Sequence, residues 1–394
     1  MSRTRRTIRR IAASTITTGV GIALLAGCGS TGNNTAASST SGDKSVSEAG
    51  VATAKKDIAA LSDPITQWPA VEAIANPVDL HGKKIMLVPI GLQVPVINGV
   101  ANAAKEALSH MGATVSICDG KFDPSAISSC LQQSQSDHDF AVMSLFVDYR
   151  MAPNAFDSAV KAGVKVLVGD QPLPDGVKTS ANFNFFDNSA TGVGLYKLQS
   201  EAALAELGTE ANGLWLRLTD SPTTTKSSDA GIARFKELCP TCGLATIDFT
   251  TANLDKLPSA VSAALVSHPK TNVVIVPVDS FAPAAIQGIQ SAGYSTKVKV
   301  ISESGSLDGL QRVQAGTLTH DLGISAAYEG FANANALIEM LSGAEVKPDT
   351  TIVTRDFNKT TVAGLSLTTA AYPTGEWYGD NSYQAEYYKA WGEK

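Results

Sequence analysis

The sequence predicts an α/β protein made of two doubly wound parallel-sheet halves, and three observations support this prediction. Short, continuous apolar runs recur along the chain from Lys84 onward. Helical stretches of about 10–15 residues separate these runs, which is the alternation typical of a parallel sheet with helices on both faces. The chain has 394 residues, 44% of them hydrophobic, which is enough for two domains of ordinary size.

The elements follow the same order in both halves. The first half contains predicted strands at 85–88, 114–117, 140–143 and 164–168. Its predicted helices lie at 95–110, 124–135, 152–162 and 188–207. The second half contains predicted strands at 214–218, 245–249, 273–276, 298–302 and 317–322. Its predicted helices lie at 226–238, 254–267, 280–291, 306–314 and 326–342. The repeated order indicates a structural duplication.

Residues 1–27 have the organisation of a secretory signal peptide. Five arginines lie within the first ten residues, and no acidic residue precedes Asp43. An apolar stretch of small residues follows and ends at Leu25-Ala26-Gly27. A transmembrane helix is the alternative, but Ser and Thr interrupt the stretch, which is shorter than the roughly 20 apolar residues that a span needs. Two Arg-Arg pairs leave both the general secretory and the twin-arginine export routes open.

Cys28 directly follows Leu-Ala-Gly, and this arrangement resembles the bacterial lipoprotein signal. The resemblance implies that Cys28 carries lipid on its sulfur, becomes the mature N-terminus and anchors the protein to the outside of the cell membrane. Residues 28–50 are rich in Gly, Ser, Thr, Asn and Ala. We therefore expect a flexible tether over 28–50.

The charge balance and the apolar content each exclude one class of protein. The chain has 31 Lys and Arg against 37 Asp and Glu, a net charge of −6. Removal of residues 1–27 would take away five arginines and no acid, which leaves 26 basic against 37 acidic residues and a net charge of −11. This balance excludes a strongly basic nucleic-acid binder, and the apolar content excludes a mostly disordered chain.

Four cysteines remain beside Cys28, an even number that suggests two disulfides in an exported chain. We expect the local pairs Cys118–Cys130 and Cys239–Cys242. The C-x-x-C spacing of the second pair also allows a redox dithiol, which should begin a helix after a strand. Here the pair follows a predicted helix and leads into a predicted strand, which favours a structural clip.

The common enzyme motifs are missing from the sequence. It has no G-x-x-x-x-G-K-[ST] loop, no G-x-G-x-x-G after the first predicted strand, no G-x-S-x-G elbow and no H-E-x-x-H. The five histidines are scattered, so no zinc ligand set is indicated. We expect no metal, no cofactor and no catalysis, although counting carboxylates leaves a glycosidase pair open.

Ligands of doubly wound sheets bind outside the carboxyl ends of the strands, and two facing sheets would form a cleft there. Polar and aromatic residues follow several predicted strands, and the candidates are Gln93, Asp119, Phe146, Asp148, Asp170, Gln171, Asp279 and Ser304. Each has an alternative role in folding. Asp279 could cap a helix, Asp119 and Asp148 could turn the chain, and Phe146 could belong to the core.

The pattern resembles the solute-binding proteins of bacterial sugar ABC importers, which have the type I periplasmic binding protein fold and include ribose-binding protein. The resemblance covers about residues 83–355. The stretches that carry it are 84–90 with Pro95, 164–170, Asp187-Asn188, Asp279 and 304–309.

The family implies two lobes joined by a three-stranded hinge. Lobe one would comprise 83–185 and 325–349, and lobe two 187–322 and 350–370, with crossings near 185–187, Gly323 and Thr350. An aromatic C-terminal tail, 371–394, would pack on the body through a helix.

The resemblance also implies ligand contacts, with departures from the family pattern. Asp170 stands where the family has a carboxylate that binds sugar hydroxyls. Departures from the family's usual residues occur at Gln171, Asp229, Ser304, Val96 and Ile97. Phe146, Phe183 or Phe281 could supply a ring face for the sugar.

The resemblance implies a lipid-anchored receptor that captures a small polar solute, a sugar or polyol, and delivers it to the membrane permease of an ABC importer. We expect a monomer that binds no nucleic acid. Two alternatives remain open from the sequence. One is a signalling receptor of the same fold that presents its ligand to a membrane sensor, and the other is a secreted carbohydrate-active enzyme.

Overall fold

A computed structural model describes residues 35–348 and 353–393, and two sheets organise them. The first sheet contains β1 (Lys84–Pro89), β2 (Thr114–Ile117), β3 (Ala141–Leu145), β4 (Lys165–Gly169) and β5 (Phe183–Phe186). Its strands are all parallel and lie in the order β2-β1-β3-β4-β5. Every residue of β3 is buried, as expected for a parallel strand covered on both faces.

The second sheet contains β6 (Asn212–Leu218), β7 (Gly243–Phe249), β8 (Val273–Ile275), β9 (Lys299–Ser304), β10 (His320–Ile324) and β11 (Thr354–Asn358). The strand order is β11-β10-β9-β8-β6-β7. The first five strands pair in parallel, whereas β11 runs antiparallel to β10 at one edge. The prediction of two parallel sheets is confirmed, and β5 and β11 are additional to the predicted strands.

Eleven α-helices lie within the described residues. They are α1 (Thr35–Ala59), α2 (Pro95–His110), α3 (Pro124–Ser136), α4 (Pro153–Lys161), α5 (Ser189–Leu207), α6 (Pro222–Leu238), α7 (Leu257–Ser267), α8 (Ala282–Ser291), α9 (Leu307–Ala315), α10 (Ala326–Ser342) and α11 (Ser382–Ala390). Six of them have proline at the first or second helical position, where its missing N–H costs nothing: α2, α3, α4, α6, α7 and α8.

Helix α10 packs on the first sheet, although it follows β10 of the second sheet in the chain. It packs on α2, and Gly330 makes this close approach possible because a Cβ there would overlap Ala103 and the Val100 carbonyl. Lobe one therefore consists of β1–β5 with α2–α4 and α10, and lobe two of β6–β11 with α5–α9. The chain crosses between the lobes after β5 and after β10. The third predicted crossing, near Thr350, falls outside the described residues.

Two further segments, 65–68 and 378–383, run from lobe two to lobe one beside these crossings. The backbone N–H of Ile65 donates to the carbonyl of Tyr378 at 2.6 Å, so the two segments lie side by side. Trp68 then stacks on Tyr328 of α10, with ring centroids 4.9 Å apart, and contacts Tyr383 of α11. The aromatic residues of α11 pack into the lobe-one core, as predicted for the C-terminal helix.

Helix α1 occupies most of the predicted tether, so that prediction is wrong for residues 35–50. Ser47 is buried and its Oγ lies 2.8 Å from Oγ1 of Thr241. Val51, Ala54 and Ile58 share a core cluster with lobe-two residues. A stripe of apolar residues packed on lobe two thus stabilises a helix whose composition alone favours disorder. Residues 1–34, including the predicted signal peptide and Cys28, lie outside the described residues.

Both predicted disulfides are present. Cys118–Cys130 joins the end of β2 to α3 in lobe one. Cys239–Cys242 spans the turn between α6 and β7 in lobe two, as expected for a structural clip. Among the helices described, none is both long enough and apolar enough to cross a membrane.

Candidate cleft between the lobes

A cavity of about 600 Å³ lies between the lobes, at the carboxyl ends of both sheets. Phe146 and Asp170, which directly follow β3 and β4, line it from lobe one. Ser304, the last residue of β9, lines it from lobe two. The cavity has the size and the position expected for a small-molecule site in open α/β sheets.

The strand-end residues of the cavity have unusual backbone geometry. The φ angles of Phe146, Asp170 and Ser304 are 61°, 59° and 114°, in the region that normally favours glycine. Phe122, which also lines the cavity, has a φ of 54°. Such residues cost on the order of 1–3 kcal/mol each and cluster at functional sites. The strain therefore marks this edge of the two sheets as a functional surface.

Two carboxylates of lobe one meet at the hinge side of the cavity. Oδ1 of Asp170 accepts a hydrogen bond from Nδ2 of Asn333 at 2.8 Å and a longer one from Nδ2 of Asn188 at 3.5 Å. Nδ2 of Asn188 also donates to Oε1 of Glu329 at 2.8 Å. Asp170 and Glu329 are 5% and 7% exposed, so desolvated carboxylates here depend on these amides for their orientation.

A second charged pair lies on the same wall. Asp148 is buried and accepts hydrogen bonds from Nε and Nη2 of Arg150, at 3.0 and 2.9 Å. The hydrogen bond to Asp148 raises the pKa of the Arg150 guanidinium. Arg150 is the one basic side chain among the described residues that line the cavity, and its head is about half exposed.

The lobe-two wall carries hydroxyl and carboxyl groups. Oγ of Ser304 donates to Oε2 of Glu303 at 3.2 Å, and burial together with the charge of Asp279 raises the pKa of Glu303 well above its usual value. Asp220 accepts hydrogen bonds from the backbone N–H and the hydroxyl of Thr251, at 3.0 and 2.9 Å.

One side-chain hydrogen bond joins the two walls directly. Oγ1 of Thr223, in lobe two, donates to Oε1 of Gln171, in lobe one, at 3.2 Å. The remaining lining is largely apolar and includes Val96, Ile97, Phe122, Phe146, Met151, Leu218 and Phe281. The cavity thus combines hydrogen-bonding groups with flat apolar surfaces.

Comparisons with known proteins identify the family. A model of the periplasmic binding protein domain matches residues 85–345. The chain belongs to that family. The D-xylose-binding periplasmic protein of Escherichia coli (strain K12) is 25% identical over 209 residues, which are 50% of this chain. The alignment spans 60% of that relative's length.

Solved structures show the same fold. A solute-binding protein of an ABC transporter from Thermotoga lettingae, in complex with 5-methylthioribose, is 16% identical with a TM-score of 0.65, covering 81% of this chain and all of its own. One from Agrobacterium vitis with bound allitol is 21% identical with a TM-score of 0.59, covering 72% of this chain and 98% of its own.

Five of the ten candidate residues line the cleft of this periplasmic binding protein. They are Phe146, Asp148, Asp170, Gln171 and Ser304. All five follow strands of the two sheets or end one of them, as the strand-end rule predicts.

The other five candidates lie elsewhere. Gln93 is exposed on the loop between β1 and α2 and is not among the lining residues. Oδ1 of Asp119 accepts hydrogen bonds from the backbone N–H groups of Leu92 and Lys121, so this side chain holds the turn after β2. Phe183 packs in the core on the outer face of lobe one, where its ring lies 5.7 Å from that of Tyr149.

The remaining two are the acids of lobe two. Asp229 forms a bidentate ion pair with Arg217, at 2.7 and 3.1 Å, on the outer surface of the lobe. Asp279 is 1% exposed and accepts a hydrogen bond from the backbone N–H of Ser306 at 2.8 Å, so it lies beneath the cleft wall.

Sequence reasoning missed several cleft residues. None of these residues directly follows a strand. Arg150 lies five residues after β3, Asn188 precedes helix α5, and Glu329 lies in the first turn of α10. Glu329 and Asn333 are the buried polar residues of the largely apolar helix α10 and lie one turn apart, and this conflict with the apolar pattern was the signal available. Glu303 directly precedes the candidate Ser304. It lies within a buried strand, so the sequence did not indicate that it lines the cleft.

Proposed function

We propose that this protein is a lipid-anchored extracytoplasmic solute-binding protein of an ABC importer, and that a sugar or polyol binds in the interlobe cleft. The observation that carries the proposal is the cleft itself. It lies at the carboxyl ends of two facing parallel sheets and is lined by strained strand-end residues that include Asp170 and Ser304. Family membership and the bound sugars and polyols of structural neighbours support it.

The chemistry of the lining fits a polyhydroxylated ligand. A carboxylate accepts two hydroxyl hydrogen bonds strongly, and the amide of Asn333 fixes the orientation of the Asp170 side chain. A sugar also has C–H faces that need apolar contact, which Phe146 and Phe281 can supply. A cleft that offers both kinds of surface discriminates sugars from wholly apolar and from strongly anionic solutes.

Binding in such a cleft involves no catalytic step. The hydrogen bond between Thr223 and Gln171 joins the walls from opposite lobes. A ligand that contacts both walls favours the closed arrangement and shifts the equilibrium toward it. The closed form is then what a membrane permease would recognise.

The membrane attachment in the proposal rests on the sequence. Cys28 follows a signal-like segment, and helix α1 begins seven residues later at Thr35. Metabolic labelling with a fatty acid would detect the anchor in the wild type, and Cys28→Ser should abolish the label and release the protein from membranes. Equal labelling of the two would contradict the anchor and leave the solute-binding proposal untouched.

A thermal-shift screen tests the binding proposal. Pentoses, hexoses, allitol and myo-inositol are added separately to the purified protein. A ligand at about 100 times its Kd should stabilise the folded protein by about 2.7 kcal/mol through mass action. At least one sugar or polyol should raise Tm in a concentration-dependent way, and a screen in which none does so would contradict the proposal.

A further inference from the structure

Two buried carboxyl groups lie beneath the lobe-two wall of the cleft and contact each other. Asp279 follows β8 and is 1% exposed, whereas Asp321 belongs to β10 and is fully buried. Their Oδ2 atoms both face Gly309 at the start of α9, where a Cβ would overlap both oxygens. The glycine at this position leaves the room that the pair occupies.

The pair holds the loop between β9 and α9 by two neighbouring backbone groups. Oδ2 of Asp279 accepts a hydrogen bond from the N–H of Ser306 at 2.8 Å. Oδ1 of Asp321 accepts one from the N–H of Gly305 at 3.3 Å. This loop begins at Ser304, which lines the cleft with a φ of 114°. The two acids therefore fix a strained backbone segment from below.

The hydrogen-bond inventory of the pair is incomplete without a proton. Oδ2 of Asp321 is buried and has no donor partner among the described residues. Buried polar atoms are nearly always satisfied, and two ionised carboxylates in contact repel each other strongly. One proton between Asp279 and Asp321 would give this oxygen a partner and remove the repulsion.

The surroundings favour the protonated pair at neutral pH. Burial raises the pKa of both carboxyl groups, and the charge of Asp279 raises that of Asp321 further. The other ionisable groups that face the pair are Glu303, Asp308, Tyr372 and Tyr378. These are acids and phenols, so none of them can offset the charge of a doubly ionised pair.

We propose that Asp279 and Asp321 share one proton and act as positioning residues, which hold the 304–306 loop in the shape that forms the lobe-two wall of the cleft. The proposal rests on the cleft as the ligand site. It replaces direct ligand contact, expected for Asp279 from the sequence, with control of the loop that carries Ser304.

Two substitutions of Asp321 separate the shared proton from simple packing. In Asp321→Asn, the amide oxygen can accept from Gly305 and the amide N–H can donate to Asp279, which imitates the singly protonated pair at every pH. Asp321→Leu keeps the branching at Cγ, is larger than aspartate and removes both hydrogen bonds. Asp248→Asn is the control, because it removes one exposed lobe-two carboxylate that pairs with Arg217.

The first measurement is unfolding as a function of pH without ligand. A carboxyl group that stays protonated in the folded protein above its unfolded pKa makes stability fall as pH rises between the two values. Above pH 4, the unfolding equilibrium constant of the wild type should rise by up to about tenfold more per pH unit than that of Asp321→Asn. Asp248→Asn should follow the wild type. Parallel profiles for the wild type and Asp321→Asn would overturn the shared proton.

The second measurement tests the positioning of the loop. Hydrogen exchange of residues 304–309, followed by mass spectrometry, should be at least tenfold faster in Asp321→Leu and unchanged in Asp321→Asn. If Asp321→Leu does not fold, the same comparison is made in the wild type at rising pH, where loss of the shared proton should speed exchange relative to Asp321→Asn. Equal exchange in all forms would overturn the positioning role.

The third measurement connects the loop to binding, with D-xylose, allitol and myo-inositol as probes. Asp321→Asn should bind the probe within about threefold of the wild type at pH 6 and should keep its affinity at alkaline pH, where the wild type weakens. An affinity of the wild type that is as independent of pH as that of Asp321→Asn would overturn the link. If no probe binds to any form, the solute-binding proposal fails, while unfolding and exchange still decide the role of the pair.

Discussion

The two lobes have similar sheets but place their buried acids differently. In lobe one, Asp170 and Glu329 reach the cleft and are oriented by the amides of Asn188 and Asn333. In lobe two, Glu303 also reaches the cleft, but Asp279 and Asp321 are sealed beneath the cleft wall, out of reach of a ligand. An acid near the cleft edge of a sheet therefore does not always contact ligand. Asp279 and Asp321 lie near this edge, but the 304–306 loop covers them.

The difference assigns different tasks to the lobes. A carboxylate at the cleft wall can exchange water for ligand hydroxyls and so contributes to affinity. A carboxyl group inside a lobe can only act through its neighbours or through the pH dependence of stability. Lobe one should therefore dominate the chemistry of ligand recognition, and lobe two the response to pH.

The largest expected effect comes from Asp170→Asn. Asparagine tolerates the left-handed backbone found at this position, so the fold should be retained. The substitution removes the charge from two strong acceptor sites, and we expect affinity for a sugar or polyol to fall on the order of 100-fold, or about 3 kcal/mol. Isothermal titration measures the loss. Asp229→Asn, on the outer surface of lobe two, is the matched control and should bind normally.

Each lobe contains one disulfide, so removing each disulfide in turn compares what it contributes to stability in the two lobes. Cys118–Cys130 closes a longer loop than Cys239–Cys242, with sequence separations of 12 and 3. On loop entropy alone, replacing the first pair by serine should cost about 3 kcal/mol and replacing the second about 2 kcal/mol. Chemical denaturation of the two double variants checks the order. A larger loss from the lobe-two pair would show that the contact of its turn with α1, through Thr241 and Ser47, matters more than loop closure.

The interior of lobe two contains a second titrating group, His320. Burial alone would lower its pKa, but hydrogen bonding to Asp356 and the charges of Asp356 and Glu206 raise the pKa to about 9. Because this value lies above the usual 6.5, the stabilisation is fully present below about pH 6.5 and is lost as pH rises through about 9. We expect it to be worth about 3 kcal/mol.

His320→Gln removes the charge and keeps a polar side chain of similar size. The wild type should be more stable than this variant at pH 6, and the difference should shrink steadily toward pH 9.5. His81→Gln, whose ring is exposed, is the control and should show no such trend. A difference in the free energy of unfolding that stays constant from pH 6 to 9.5 would exclude a charged His320.

The sequence predicted most of the fold because repeated parallel strands leave a strong pattern. Helix α2 and strand β2 have the predicted ends, since proline and glycine mark the boundaries of the helix. Strand β11 escaped prediction because TRDFN is polar and lies antiparallel at an edge, where the strand need not be apolar. Helix α1 escaped because only its contact with lobe two stabilises it.

Half of the candidate site residues line the cleft because their positions follow from the order of the strands. The strand-end rule found Asp170 and Ser304 because it depends on chain order alone. It could not find Glu329, which is 141 residues from its partner Asn188, or recognise that Asp279 lies under a loop. Those contacts depend on tertiary packing, which a single sequence does not reveal.

Native mass spectrometry of the freshly purified protein tests sugar binding in the cleft, because a closed cleft can retain its ligand during purification. We expect an added mass that is released on denaturation, that corresponds to a sugar or polyol, and that is lost or much reduced in Asp170→Asn but kept in Asp229→Asn. A retained amino acid, nucleotide or lipid, or a sugar held equally well by Asp170→Asn, would contradict the proposed binding of a sugar or polyol at Asp170.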